Sequence, residues 1–261
     1  MFFVFSKQKI YSYIVALSTV VILFVVAAVL TEQKVSTIST SAKVEKLIPI
    51  YNVNTEEKKV ALTINCAWNA DDIEVILDTL SKYDVKVTFF MVGEWVDKYP
   101  DAVKKIFDNG HEIGNHSDSH KHVNNLNLEK NIEEINLCSD KIEKITGNRT
   151  TLYRGPYGEY NNTVINSAIQ TGHYTIQWNI DTLDYNGLTG NEMWSRIKER
   201  LSNGSIILMH NGTKNTANSL DMIIYNIKQN GYSIVKTSDL IYKENYIIDS
   251  NGTQKLKDDN N

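Results

Sequence analysis

Cysteine is almost missing from this 261-residue chain, which holds two, Cys66 and Cys138. That is too few to staple a small scaffold or to build a zinc ribbon, so a hydrophobic core must carry the fold. Charge of one sign is also missing: the formal net charge is -4 and the pI near 5.9, which leaves no broad basic surface and argues against nucleic acid as a partner. No short internal repeat is apparent. Long apolar runs are confined to one place, the first thirty residues.

In that stretch Lys7 and Lys9 precede a nearly uncharged run from Ile10 to Leu30. A bilayer takes roughly 20 apolar residues, and a signal-peptide core only about 7 to 15, so the run predicts an uncleaved transmembrane helix. A cleavable signal, with Ala27-Ala28 near its end, is the alternative. Lysines kept inside would place the remainder outside the cytoplasmic membrane. The expected organisation is a short cytoplasmic segment at 1–9, an anchor at 10–30, a linker and lead-in at 31–57, a folded domain at 58–245 and a frayed polar tail at 246–261. With 42% apolar residues the chain can bury one core, and a domain of about 200 residues is of ordinary size.

Within the domain, strand-length apolar runs alternate with helical patterns. Val60–Asn65, Val85–Val92, His111–Asn115, Leu152–Arg154, Tyr174–Asn179, Ser205–His210 and Tyr232–Lys236 read as strands. Between them Asp71 or Asp72 opens a helix to Tyr83, and Pro100–Asn109, Leu128–Thr146, Asn161–Thr171, Asn191–Leu201 and Ser219–Asn230 read as helices, several of them ended by glycine. This alternation predicts a parallel α/β architecture.

Polar clusters fall at or just after the C-terminal ends of these strands: Thr63-Ile64-Asn65-Cys66-Ala67, His116-Ser117-Asp118-Ser119-His120, Arg154-Gly155-Pro156-Tyr157-Gly158, Asp181-Thr182-Leu183-Asp184-Tyr185 and Leu208-Met209-His210. In α/β barrels that face gathers the active site. His116 and His120, four residues apart, suit one divalent metal, although the spacing alone is a weak signal. Zinc proteases with such a pair need a glutamate directly after the first histidine, and here it is Ser117. Arg154 can hold a carboxylate, and the rigid turn behind it can aim a backbone N–H at an oxyanion. Trp68, Trp95, Trp178 and Trp194 read as core or groove-lining residues.

Taken in order, the five clusters resemble the NodB-type polysaccharide deacetylases, carbohydrate esterase family 4, from about Lys58 to Leu240, and in detail their membrane-anchored, sporulation-associated subgroup. The resemblance implies a distorted (β/α) barrel of about seven parallel strands and metal-dependent, most simply zinc-dependent, N-deacetylation of peptidoglycan or a related N-acetylglucosamine polymer. It makes His116 and His120 metal ligands and gives Arg154 the task of positioning the base. Tyr157 would offer its backbone N–H to the oxyanion, and His210, tuned by Asp184 or Asp181, would protonate the leaving amine. Leu208 and Tyr185 would line the acetyl pocket. Asn65 and Cys66 stand where the family has two aspartates, one the general base and one a metal ligand. The third ligand stays open among Cys66, Asp71 and Asp72. A carboxamide accepts no proton at ordinary pH, and general-base assistance is worth roughly 10²- to 10⁴-fold. The expected activity is therefore deacetylation with release of acetate, with a catalytically impaired, glycan-binding or scaffolding relative as the alternative.

Overall fold

The computed structural model describes residues 6–35 and 45–257, and the chain divides into two compact units between Glu45 and Lys46. The first unit contains helix α1 (Lys7–Val35), whose stretch Lys7–Val29, 23 residues, is on average apolar enough and long enough to cross a membrane. At 1.5 Å per residue they span about 35 Å, against a hydrocarbon core of about 30 Å. From Ile10 to Val29 apolar side chains face all round the helix, and Leu17, Leu23 and Phe24 are exposed. Two of the hydroxyls within the run, on Ser18 and Thr19, donate to the Val15 carbonyl, so neither needs water. The helix runs through Thr31–Val35, where the sequence pattern predicts a linker; 36–44 of that linker, 1–5 of the cytoplasmic segment and 258–261 of the tail lie outside the described residues.

The second unit runs β1 (Asn52–Val53), β2 (Lys59–Cys66), α2 (Ile73–Lys82), β3 (Thr88–Met91), α3 (Gly93–Lys98), α4 (Pro100–Asp108), β4 (Glu112–Asn115), α5 (Leu128–Thr146), β5 (Leu152–Tyr153) and α6 (Asn162–Gln170). It continues through β6 (Tyr174–Thr175), β7 (Ile180–Asp181), α7 (Gly190–Arg200), β8 (Ile206–His210), α8 (Thr216–Gln229), β9 (Ser233–Val235), α9 (Thr237–Leu240), β10 (Tyr246–Ile248) and β11 (Thr253–Leu256). Seven strands pair in the order β6-β5-β4-β3-β2-β8-β7, every pair parallel, and β9 adds to β2. This is a distorted (β/α) barrel.

Strand parity sorts the side chains. On β2, Val60, Leu62, Ile64 and Cys66 join the larger apolar cluster with the inward faces of α2, α4, α7 and α8, while Ala61, Thr63 and Asn65 face the other way. On β8, Ile207 and Met209 go outward, leaving Ile206, Leu208 and His210 inside. Burial on both faces explains why these strands read as continuous apolar runs.

Where the sequence pattern predicts one strand over Tyr174–Asn179, the structure has two short ones and no helix between. Ile176 N–H donates to Tyr153 O (2.8 Å), whereas Asn179 N–H donates to Ile206 O (3.2 Å), so this segment crosses from the β5 edge to the β8 edge. The polar tail also departs from expectation, since β10 and β11 build a small sheet with β1. Its polarity is misleading because Gln254, fully buried, satisfies its own amide by accepting from Tyr242 N–H and donating to Tyr242 O.

Gly204 links this layer to the barrel: its N–H donates to Lys59 O, and its carbonyl accepts from Val53 N–H. At φ +75° a Cβ there would lie 1.7 Å from Val53 O. Gly204→Ala is therefore expected to lower unfolding stability by about 2–3 kcal/mol. Denaturant unfolding checks this, and a loss below about 0.5 kcal/mol, the scale of neutral surface changes, would contradict it.

Candidate active site

At the C-terminal ends of the barrel strands lies a cleft of about 470 Å³, lined by Asn65, Ala67, Trp68, His116, His120, Tyr157, Gly158, Trp178, Asp181, Tyr185, Leu208 and His210. The strand register brings them together. Asn65 pairs with His210 across β2 and β8, and Asn115 pairs with Met91 and Tyr153, which sets His116 and Arg154 side by side. Among the described residues, six non-glycine positions have positive φ, and Ser117, His120, Tyr157 and Leu183 of these sit in the loops around the cleft. Strained backbone concentrated there is what a built site looks like.

Arg154 lies fully buried beneath the floor. Its guanidinium donates to Thr63 Oγ1 (2.9 Å), Asn65 Oδ1 (2.9 Å) and Gln177 O (3.1 Å), and stacks 4.0 Å from the centre of the Phe90 ring. Burial pulls its pKa down to about 9, which leaves it charged at neutral pH. A guanidinium accepts nothing, so the Asn65 carboxamide must turn its oxygen to Arg154 and its Nδ2 to His116 Nε2, 3.2 Å away. His116 Nε2 then accepts, and Nδ1–H donates to Arg154 O (2.7 Å). The result is a closed ring: Arg154 side chain to Asn65, Asn65 to His116, His116 back to the Arg154 backbone. Burial, then the neighbouring His120 imidazole, holds His116 well below its ordinary pKa, so the ring contains neutral imidazole. Arg154→Lys, which cannot fork, is expected to cost about 2 kcal/mol in thermal or denaturant unfolding; an unchanged midpoint would show that the fork is not needed.

His210 is fixed from behind. Asp184, fully buried, accepts from His210 Nδ1 (2.8 Å), His210 N (2.6 Å), Thr216 Oγ1 (2.7 Å) and Tyr185 N (3.0 Å). Asp181 instead faces the cleft and accepts from Leu183 N–H, so of the two aspartates it is Asp184 that touches His210. Trp68 and Tyr185 flank the imidazole at 5.4 and 5.3 Å between ring centres. Across the cleft the Tyr157 ring meets His120 edge-on at 4.7 Å and stacks on His122 at 4.2 Å.

Of the three open candidates for a third metal ligand, none joins the two histidines. The Cys66 thiol points into the apolar core, where burial raises its pKa well above the ordinary thiol value, because strand parity sends residue 66 opposite to residue 65. Asp72 takes Gly212 N–H (2.8 Å) and Asn211 Nδ2 (3.3 Å) and so ties the start of α2 to the loop after His210. Asp71 is exposed. Among the described residues no group of three or more His, Cys, Asp or Glu converges as a metal cage. The His116 lone pair that a metal would use is spent on Asn65. Two imidazoles and a carboxamide do not fit a tightly held divalent ion.

Sequence reasoning missed the residue that holds the histidine loop. Glu134 on α5 accepts from Ser117 Oγ, Asp118 N, Ser119 N, Ser119 Oγ and Lys121 Nζ at 2.7–3.1 Å. It also gave no role to Thr63, which accepts from Arg154, or to Thr216, which donates to Asp184.

The polysaccharide deacetylase family model matches residues 52–176. An uncharacterized Bacillus subtilis protein, YlxY, is 35% identical over 193 residues, which cover 74% of this chain and 60% of that protein. The peptidoglycan-N-acetylglucosamine deacetylase of Bacillus cereus is 30% identical over 196 residues, 74% of this chain and 71% of the enzyme. Among solved structures, a CE4 family pseudoenzyme from Bacillus anthracis matches with a TM-score of 0.71 at 32% identity, covering 74% of this chain and 68% of that one. A mutant of the same pseudoenzyme with restored enzymatic activity also matches with a TM-score of 0.71 at 32% identity, over 74% of this chain and 70% of that one. The chain belongs to the polysaccharide deacetylase family, CE4. CE4 deacetylases are generally metal-dependent, and among the described residues of this chain the donor set is incomplete.

Proposed function

We propose that this protein binds an N-acetylated cell-wall glycan, peptidoglycan or a related N-acetylglucosamine polymer, in the cleft above Asn65, and that it removes acetyl groups far more slowly than the deacetylases it resembles. The observation that carries this reading is the Arg154–Asn65–His116 ring, which puts an N–H where a deacetylase needs a proton acceptor and caps the imidazole that would take a metal. The open, aromatic-rimmed cleft with Trp68, Tyr157 and Tyr185 exposed supports the binding half. A helix long enough to cross a membrane, or to act as a signal sequence, fits a domain working outside the cytoplasmic membrane. A second reading, metal-dependent N-deacetylation with release of acetate, is favoured by the preserved His210–Asp184 pair, which would serve as the acid for the leaving amine.

The test measures binding and turnover together, on the full-length chain in detergent or nanodiscs with zinc supplied. Calorimetry with chito-oligosaccharides and peptidoglycan fragments is expected to give saturable binding, with acetate release near background. Turnover at the rate of the Bacillus cereus enzyme run alongside would establish the second reading; no binding to any N-acetylated glycan would remove both.

A further inference from the structure

Resting on the glycan-binding reading above, we infer that the cleft reads the acetamido group directly, with no metal ion between: Asn65 Nδ2 donates to the carbonyl oxygen, and His210 Nε2 accepts the amide N–H. Asn65 is oriented by Arg154, and one Nδ2 hydrogen goes to His116. The second hydrogen is left for the cleft, whose floor Asn65 forms while only 4% exposed.

His210 supplies the complementary atom. Asp184 receives four donors, two backbone N–H groups, the Thr216 hydroxyl and His210 Nδ1, so it acts as an acceptor and the imidazole proton sits on Nδ1. In the neutral ring Nε2 then carries the lone pair, and it is held between Trp68 and Tyr185 in the cleft wall. The two side chains come from register-paired positions on neighbouring strands and lean apart, Asn65 toward His116 and His210 toward Asp184, so donor and acceptor stand on rigid supports on opposite sides of an amide whose C=O and N–H point in opposite directions. A secondary amide has one acceptor and one donor, and this pair answers both. In an aspartate-bearing relative the residue at this position could accept but not donate, so the carboxamide gives the cleft a function rather than merely removing one.

The experiment titrates the full-length chain in nanodiscs, dialysed against EDTA, with tetra-N-acetylchitotetraose and with cellotetraose, a neutral β-1,4 tetramer lacking the acetamido groups. The expected result is at least tenfold tighter binding of the acetylated tetramer, about 1.4 kcal/mol, unchanged by EDTA or by added zinc. Asn65→Asp, which keeps the shape and removes the donor, and His210→Phe, which removes the acceptor, are each expected to erase most of that preference under EDTA. Preference that vanishes with EDTA and returns with zinc, or that survives in both variants, overturns the inference. Equal binding of the two tetramers also overturns it while leaving the glycan-binding reading in place, whereas binding of neither sinks that reading instead.

Discussion

Asn65→Asp is expected to raise acetate release from N-acetylglucosamine oligomers about 10²-fold over the natural chain when zinc is supplied, the lower end of what general-base assistance contributes. The substitution is nearly isosteric, and one carboxylate oxygen can keep the bond that Asn65 Oδ1 now receives from Arg154 Nη1. The fully buried guanidinium, which now has a neutral carboxamide at this position, gains a negative partner, so the new carboxylate stays ionised and able to accept a proton. The second oxygen replaces the N–H that caps His116 Nε2. The gain stops short of the upper range because Cys66 is turned into the apolar core and contributes no ligand. A coupled acetate assay decides the matter. A gain under about threefold would mean that the base is not what this site lacks.

Much of the barrel was legible because its signals are local. The long helix has the bounds its pattern predicts, Leu128–Thr146, since Asn127 caps one end by accepting from Lys130 N–H and Gly147 closes the other at φ +74°. The motif residues stand at strand ends because parallel strands all point the same way, so clusters far apart in sequence share one face. Non-local geometry was not legible. Whether residue 66 points into the cleft depends on strand parity at the last rung, which an adjacent Asn-Cys pair does not reveal. The crossing at Ile176–Asn179 depends on where the β8 edge lies, and the tail strands depend on β1 arriving beside them. Glu134 was hidden for a related reason: on a helix with Glu129, Glu133 and Glu143 its sequence context is that of a solvated face, and its partners are 13–17 residues away.

Glu134 is also where loss should be most costly to the fold around the cleft: Glu134→Ala is expected to lower stability by about 3–4 kcal/mol. Only 7% exposed, it gathers two backbone N–H groups and two serine hydroxyls of a loop that carries positive φ at Ser117 and His120. Each donor left without a partner in so enclosed a place costs about 1–3 kcal/mol, offset in part by water reaching the half-buried ones. The acid dependence follows from the same bonds. Burial alone would raise the Glu134 pKa, but donation from Ser119, Ser117 and Lys121 outweighs it and brings the value down from 4.5 to about 2. A carboxylate depressed in the folded state contributes stability that is complete above its unfolded pKa and is lost as pH falls through the folded one, here from about 4.5 toward about 2. Glu134→Gln, which keeps the shape and cannot ionise, should therefore differ most from the natural chain at pH 7 and approach it near pH 2. Denaturant unfolding of both at pH 7, 4 and 2.5 tests this. A gap that stays constant across the range would move the origin of the clamp from charge to shape, and the histidine loop would then owe its strained conformation to packing instead.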